Sequence, residues 1–160
     1  MKKDVTPSNN VKVGYAFVVG DLLHIGHLKF LQKCKKHCDF LIVGVYIDEL
    51  VDSYKRNPII PFEERIKLIK ELKIVDAVIP VYDRDCTPAL KKLTEEGWKI
   101  EFLFHGDDWS SDDPDLKKSI EYMKSIGGKL IQPPYYWKRT TTNIIKEIVR
   151  RHLGGEKLWS

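Results

Sequence analysis

Phe40-Leu-Ile-Val-Gly-Val-Tyr46 is apolar without a break. A strand with one wet face alternates apolar and polar residues, and this one does not. It therefore reads as a strand buried on both faces, which occurs in parallel sheets covered by helices. Further strand-like segments stand at 11–19, 77–81, 100–104 and 129–132. Between them lie segments of helical character at 27–37, 87–96, 114–126 and 144–153, and a helix opened by Pro61 with Ile66, Leu68, Ile69 and Leu72 as its apolar face. Residues 48–60 read as a polar, proline-punctuated loop. Thr87 reads as an N-cap ahead of Pro88, Thr141 or Thr142 as the cap of the last helix, and Pro80 as an edge or strand-end marker. Strand and helix alternate throughout. This predicts an α/β fold: one domain, a doubly wound parallel sheet of about five strands, helices on both faces.

The chain has 160 residues, which suits one domain. Residues 1–10 are polar and are expected to be a loose leader, 11–153 the folded domain, and 154–160 a tail. No apolar run is long enough to span a membrane, and the leader lacks the apolar stretch of a signal peptide. A cytoplasmic location is expected. Three cysteines, Cys34, Cys38 and Cys86, are expected to stay reduced. The net charge of +4 fits an anionic small substrate. No long basic block or zinc-finger pattern suggests a nucleic-acid partner. The glycine fingerprint of dinucleotide oxidoreductases and the P-loop pattern are both absent.

Function concentrates at Gly20-Asp-Leu-Leu-His24-Ile-Gly26-His27, which follows the apolar run 15–19. The segment sits where a strand hands over to a helix, which in an open α/β sheet is the ligand crevice. Residues three apart in a helical turn share a face, so both imidazoles can aim at one point. A helix start also offers free N–H groups to a phosphate. No Cys or carboxylate cluster completes a zinc-type ligand set.

Three other segments fall at similar junctions. Lys55 and Arg56 are adjacent cations in the loop after the second strand, ahead of Pro61-Phe62-Glu63-Glu64-Arg65. Glu64-Arg65 reads either as part of that constellation or as a cap and pair on the helix surface. His105-Gly106-Asp107-Asp108-Trp109 follows the fourth strand, with carboxylates for a base or ribose, an indole to cover a flat ring and a glycine for close approach. Lys138-Arg139-Thr140-Thr141-Thr142 offers hydroxyls, an arginine and amides to phosphate oxygens, or an ordinary threonine cap.

The first segment resembles the HxGH signature of the nucleotidyltransferase superfamily. More narrowly, the chain is similar to cytidylyltransferases of alcohol phosphates, with their G-x-F-D-L-L-H-x-G-H. Asp21, Leu22, Leu23, His24, Gly26 and His27 match, while Gly20 stands where the family has Phe. Lys55 takes the lysine position of the eukaryotic relatives, and Arg56 a basic position of the bacterial enzymes. Gly106-Asp107-Asp108-Trp109 resembles the G-D-D-W of glycerol-3-phosphate cytidylyltransferases, and His105 leans to the ethanolamine-phosphate enzymes. The R-T-x-G-I-S-T-T motif matches incompletely: Tyr135 occupies its arginine position and Arg139 its isoleucine.

The resemblance implies a Rossmann-like domain that moves CMP from CTP to a phosphorylated or phosphonate small alcohol. His24, His27 and Lys55 are its implied catalytic residues. Val19, Gly20, Asp21, Gly26, Arg56, the 105–109 segment, Arg139 and Thr140 to Thr142 are its implied nucleotide contacts. It also implies Mg2+ held by the triphosphate, with Asp21 touching the ion directly or through water, and a homodimer. An adenylyltransferase on the same scaffold, FAD synthetase-like or acting on a sugar phosphate, and a non-catalytic nucleotide-binding module are the alternatives.

Overall fold

The computed structural model describes residues 10–157. The expected leader, save Asn10, and the last three residues of the expected tail lie outside that range. The chain runs β1 (Val13–Val18), α1 (Ile25–Lys35), β2 (Phe40–Tyr46), α2 (Asp48–Asp52), α3 (Phe62–Lys70), β3 (Ala77–Val81), α4 (Thr87–Glu95), β4 (Ile100–Phe104), α5 (Pro114–Ser125), β5 (Lys129–Ile131) and α6 (Thr141–Leu153). All strand pairs are parallel, in the order β3-β2-β1-β4-β5. The winding reverses between β1 and β4, and that reversal opens a crevice at the strands' carboxyl ends.

The unbroken apolar run of β2 now has its explanation. Phe40, Ile42 and Tyr46 face one core, with Tyr15, Leu90, Leu103 and Met123. Leu41, Val43 and Val45 face a second core on the other side, with Leu31, Cys34, Ile69 and Phe104. Side chains alternate with period two, but both destinations are apolar. The three cysteines are buried and free. No helix among the described residues is long and apolar enough to cross a membrane.

Several boundaries differ from expectation. A short helix, α2, interrupts the predicted 48–60 loop. Thr87 is the first residue of α4, and Cys86 holds the cap position. The last helix begins at Thr141, capped by Thr140 rather than Thr141 or Thr142. α1 begins two residues before the predicted His27, because His24 itself caps it. The differences at α4 and α6 come from assigning the cap by residue type, whereas backbone geometry decides it.

The candidate active site

One crevice of about 380 Å³ lies over the carboxyl ends of the strands. Loops from every strand reach its walls. The β1–α1 junction supplies the histidines. His24 is the N-cap, and its Nδ1 accepts the Gly26 N–H at 3.0 Å. His27 sits at the third helical position, and its Nδ1 accepts the His24 N–H at 3.3 Å. The two residues form a reciprocal capping box, an arrangement usually made by Ser or Thr with Glu or Gln. Here imidazoles do it, and the consequence is chemical. A ring nitrogen that accepts an N–H carries no proton, so each neutral ring bears its hydrogen on Nε2. Both histidines are thereby set as Nε2–H donors.

They are also held neutral. Burial pushes the His27 pKa down to about 3, with the neighbouring His24 and Lys55 adding to the effect and Asp21 opposing it. Burial likewise lowers His24, helped by the Arg139 charge. The ring centroids are 3.9 Å apart. Both rings line the crevice. His24 Nε2 lies 3.3 Å from Thr141 Oγ1, whose hydroxyl donates to the Asp21 carbonyl at 2.8 Å. The start of α6 is thus tied directly to the β1–α1 loop, 117 residues away in sequence.

Glycines make that closeness possible at two places. A Cβ on Gly26 would lie 2.7 Å from the Arg139 carbonyl oxygen. Gly20 has φ +72, and a Cβ there would meet Ile69 Cδ1 at 2.5 Å. The left-handed backbone strains any side chain at position 20, and a Phe there would also have to displace Ile69.

Asp21 is 2 % exposed, on the wall of the crevice. Its carboxylate accepts from the Ile60 N–H at 2.9 Å, the Ile59 N–H at 3.0 Å and Arg56 at 2.8 Å. These bonds lower its pKa against the opposing cost of burial. The residue expected to touch a metal lines the crevice and also pins the 56–60 loop to the β1–α1 loop. Arg56, expected on the nucleotide, is shared with that carboxylate, although it also lines the crevice beside Lys55.

The β4 loop divides by role. Asp108 and Gly106 line the crevice. Asp107 does not: its carboxylate accepts the Tyr135 N–H at 2.6 Å and binds the β4 loop to the segment after β5. Trp109 forms a wall, covered by His105 at 4.4 Å and Arg84 at 5.1 Å between ring centroid and partner. Burial lowers the His105 pKa, offset by its bond to the Gly106 carbonyl. Arg139 and Thr140 to Thr142 all line the crevice, and so does Tyr135. Val19 lines it too, while Gly20 shapes the loop from outside its walls.

Sequence reading underestimated Arg65 and overlooked Arg84 and Gln132. Arg65 is not a surface pair; it is fully buried. It donates to the Val19, Ile60 and Tyr46 carbonyls and to Asp48, clamping the ends of β1 and β2 to α3. Its place one turn inside α3, beside the apolar Ile69, was the available signal. Gln132 Nε2 donates to the Trp109 and Gly106 carbonyls at 2.9 and 3.3 Å, shaping the β4 loop. Arg84 is one charge in a loop with no pattern around it, and nothing in the sequence marked it.

Fold and site together define a nucleotide-binding α/β domain with a cationic, imidazole-lined crevice at its switch point. Residues 20–148 match the cytidylyltransferase-like family model, and the chain belongs to that family of nucleotidyltransferases. It is 34% identical over 137 residues to FAD synthase from Thermococcus sibiricus, covering 82% of this chain and 88% of that protein. It is 35% identical over 134 residues to the bifunctional protein HldE of Geobacter metallireducens, covering 82% of this chain but only 26% of the relative. The chain thus spans about a quarter of the HldE proteins it matches. Ethanolamine-phosphate cytidylyltransferase of Arabidopsis thaliana is 34% identical over 88 residues, 55% of this chain and 21% of that one. Among solved structures, the lipopolysaccharide core biosynthesis protein from Thermoplasma volcanium GSS1 superposes with TM-score 0.65 at 29% identity, over 79% of this chain and 98% of that one.

Proposed function

We propose that the chain transfers a nucleoside monophosphate, CMP from CTP, to a phosphorylated or phosphonate small acceptor, releasing pyrophosphate. The observation that carries the reading is the convergence of His24, His27 and Lys55 on one crevice beside the α6 start. The acceptor oxygen is already a nucleophile, so no side chain has to become one. The protein's task is alignment and charge stabilisation.

Each residue then has a defined act. His24 and His27, neutral and fixed as Nε2–H donors, hydrogen-bond the α-phosphate and the departing pyrophosphate. Neutral donors do not hold the product as a full imidazolium charge would. Lys55 offsets charge growing at the α-phosphate. Arg139, the Thr142 hydroxyl and the free amides at the α6 start, which Thr141 ties to the β1–α1 loop, hold the β- and γ-phosphates. Asp108 and Gly106 receive the ribose or base, with Trp109 as a wall. Among the described residues, no group of three or more His, Cys, Asp or Glu forms a metal cage. Mg2+ would arrive with the triphosphate and neutralise its charge, with Asp21 the carboxylate on the β1 side of the crevice that would meet it, and no step here depends on a protein ligand to it.

The G-D-D-W string favours cytidine. The near full-length match to FAD synthase from Thermococcus sibiricus supports a second reading, transfer of AMP from ATP. Pyrophosphate release measured with CTP, ATP and GTP against a panel of phosphorylated alcohols and phosphonates tests both. Turnover with CTP supports the first reading and turnover with ATP alone the second. No release with any pair ends both. Lys55→Ala should lower kcat more than it raises the nucleotide KM; a change in KM alone would make Lys55 a binding residue only.

A further inference from the structure

The charges in the crevice fall into two groups. One surrounds the imidazoles: Lys55 and Asp21 act on His27, and Arg139 acts on His24. The other centres on Arg84, in the loop after β3, whose charge acts on Tyr46 and Tyr54. The triphosphate, on the reading above, occupies the side of β1 and α6. The β3 side is left for the acceptor.

Arg84 is held there in an unusual manner. Its guanidinium lies 4.8 Å from the Tyr54 ring centroid and 5.1 Å from that of Trp109. Two aromatic faces and nearby carboxylates would ordinarily read as a cage for an ammonium group. In this chain the cage already holds its own cation. A second cation arriving there would meet like charge.

Within the protein the guanidinium has two long ion pairs. Among the described residues it makes no hydrogen bond. The nearest carboxylate oxygens, on Asp113 and Asp115, are 3.8 and 3.9 Å away. Both acids have other partners. Asp113 accepts the Asp115 and Leu116 N–H groups at the α5 start, at 3.0 and 3.4 Å. Asp115 lies 4.0 Å from Lys118. The Arg84 side chain stays 35% exposed and lines the crevice between its two ring partners. A planar fork of N–H donors, stacked and partly exposed, is suited to bidentate binding of a carboxylate or phosphate.

We propose that Arg84, clasped between Tyr54 and Trp109, selects the acceptor, and that it selects one carrying a second anionic group over one ending in an ammonium. The inference rests on the transfer reading for the word acceptor. It deepens that reading by naming a substrate class: a phosphate or phosphonate at the reacting end and a carboxylate or second phosphate at the other.

Calorimetric titration with phosphoglycolate and phosphoethanolamine tests it. The two probes differ chiefly in the charge of the far group. Phosphoglycolate should bind about 10- to 100-fold tighter, the range of one charge-assisted contact. Arg84→Ala should erase that preference, Arg84→Lys should keep part of it, and CTP affinity should be unchanged in both variants, which also reports that they are folded. Equal binding of the two probes, tighter phosphoethanolamine, a preference that survives Arg84→Ala, or no binding of either probe overturns the assignment. Pyrophosphate release with the same probes separates the two readings. Preferential binding without release removes the transfer reading and leaves Arg84 as the selector. Release with phosphoethanolamine but not phosphoglycolate keeps the transfer and removes the role of Arg84.

Discussion

Two helix starts face the crevice, and they are built differently. α1 and α6 both open with a reciprocal capping box, His24 with His27 in one and Thr140 with Asn143 in the other. α1 is anchored: Leu31 and Cys34 are fully buried in the second core. α6 buries none of its residues, and Ile148, Val149 and Leu153 stay exposed. Its start is tied to the β1–α1 loop through Thr141. The lesson concerns what a cap is for. At α6 the cap satisfies amides and leaves others for phosphate oxygens. At α1 the same bonds also fix which imidazole nitrogen carries the proton, so a folding device sets a chemical one.

The largest way to break this contrast is Arg65→Leu. It would leave three carbonyls and Asp48 without their donor at the ends of β1 and β2. We expect a loss of about 3–5 kcal/mol in urea unfolding, with α1 losing hydrogen-exchange protection. A loss below about 1 kcal/mol would mean the α1 platform does not depend on that clamp.

His27→Ala comes next. Turnover should fall by about 10²-fold or more, as for loss of one preorganised donor. A near-normal rate would reduce the imidazole pair to its capping role and erase the contrast with α6.

Acid should separate the two starts. The folded pKa of His27, about 3, lies below its ordinary value of 6.5. The stability tied to its neutral form is therefore complete above pH 6.5 and is lost as pH falls from there toward 3. The Thr140–Asn143 box has no titrating group. Hydrogen exchange between pH 7 and about 4 should loosen the α1 start while leaving the α6 cap unchanged. Equal loosening would show that both starts respond to something else.

Thr141→Val is the smallest effect. Removing its hydroxyl deletes the tie between α6 and Asp21 and should cost about 1 kcal/mol in stability. It should weaken triphosphate binding several-fold with little change in kcat. If kcat falls as steeply as in His27→Ala, α6 belongs to the reacting end as much as α1 does.

The parallel sheet was readable because β2 is apolar at every position, which only a strand between two cores tolerates. The histidine pair was readable because two residues of one rare type three apart carry their geometry with them. Lys55 and Trp109 were found through motif strings. Asp107 was assigned to ligand but stands off the crevice and bonds the Tyr135 N–H, while Asp21 lines the crevice and bonds the Ile59 and Ile60 amides as well. Nothing in a string distinguishes a carboxylate that meets a nucleotide from one that meets a peptide N–H.

The order of residues by itself decided which segments bury, where strands give way to helices, and that two imidazoles would stand together at one such junction. Those are consequences of short-range spacing and of apolar side chains leaving water. Only the tertiary structure decided that Arg65 goes inside, that Arg84 is caught between two rings from separate loops, and that Thr141 reaches the first loop. Such contacts join residues tens of positions apart. Their energy depends on distances that the chain acquires only when its sheet closes.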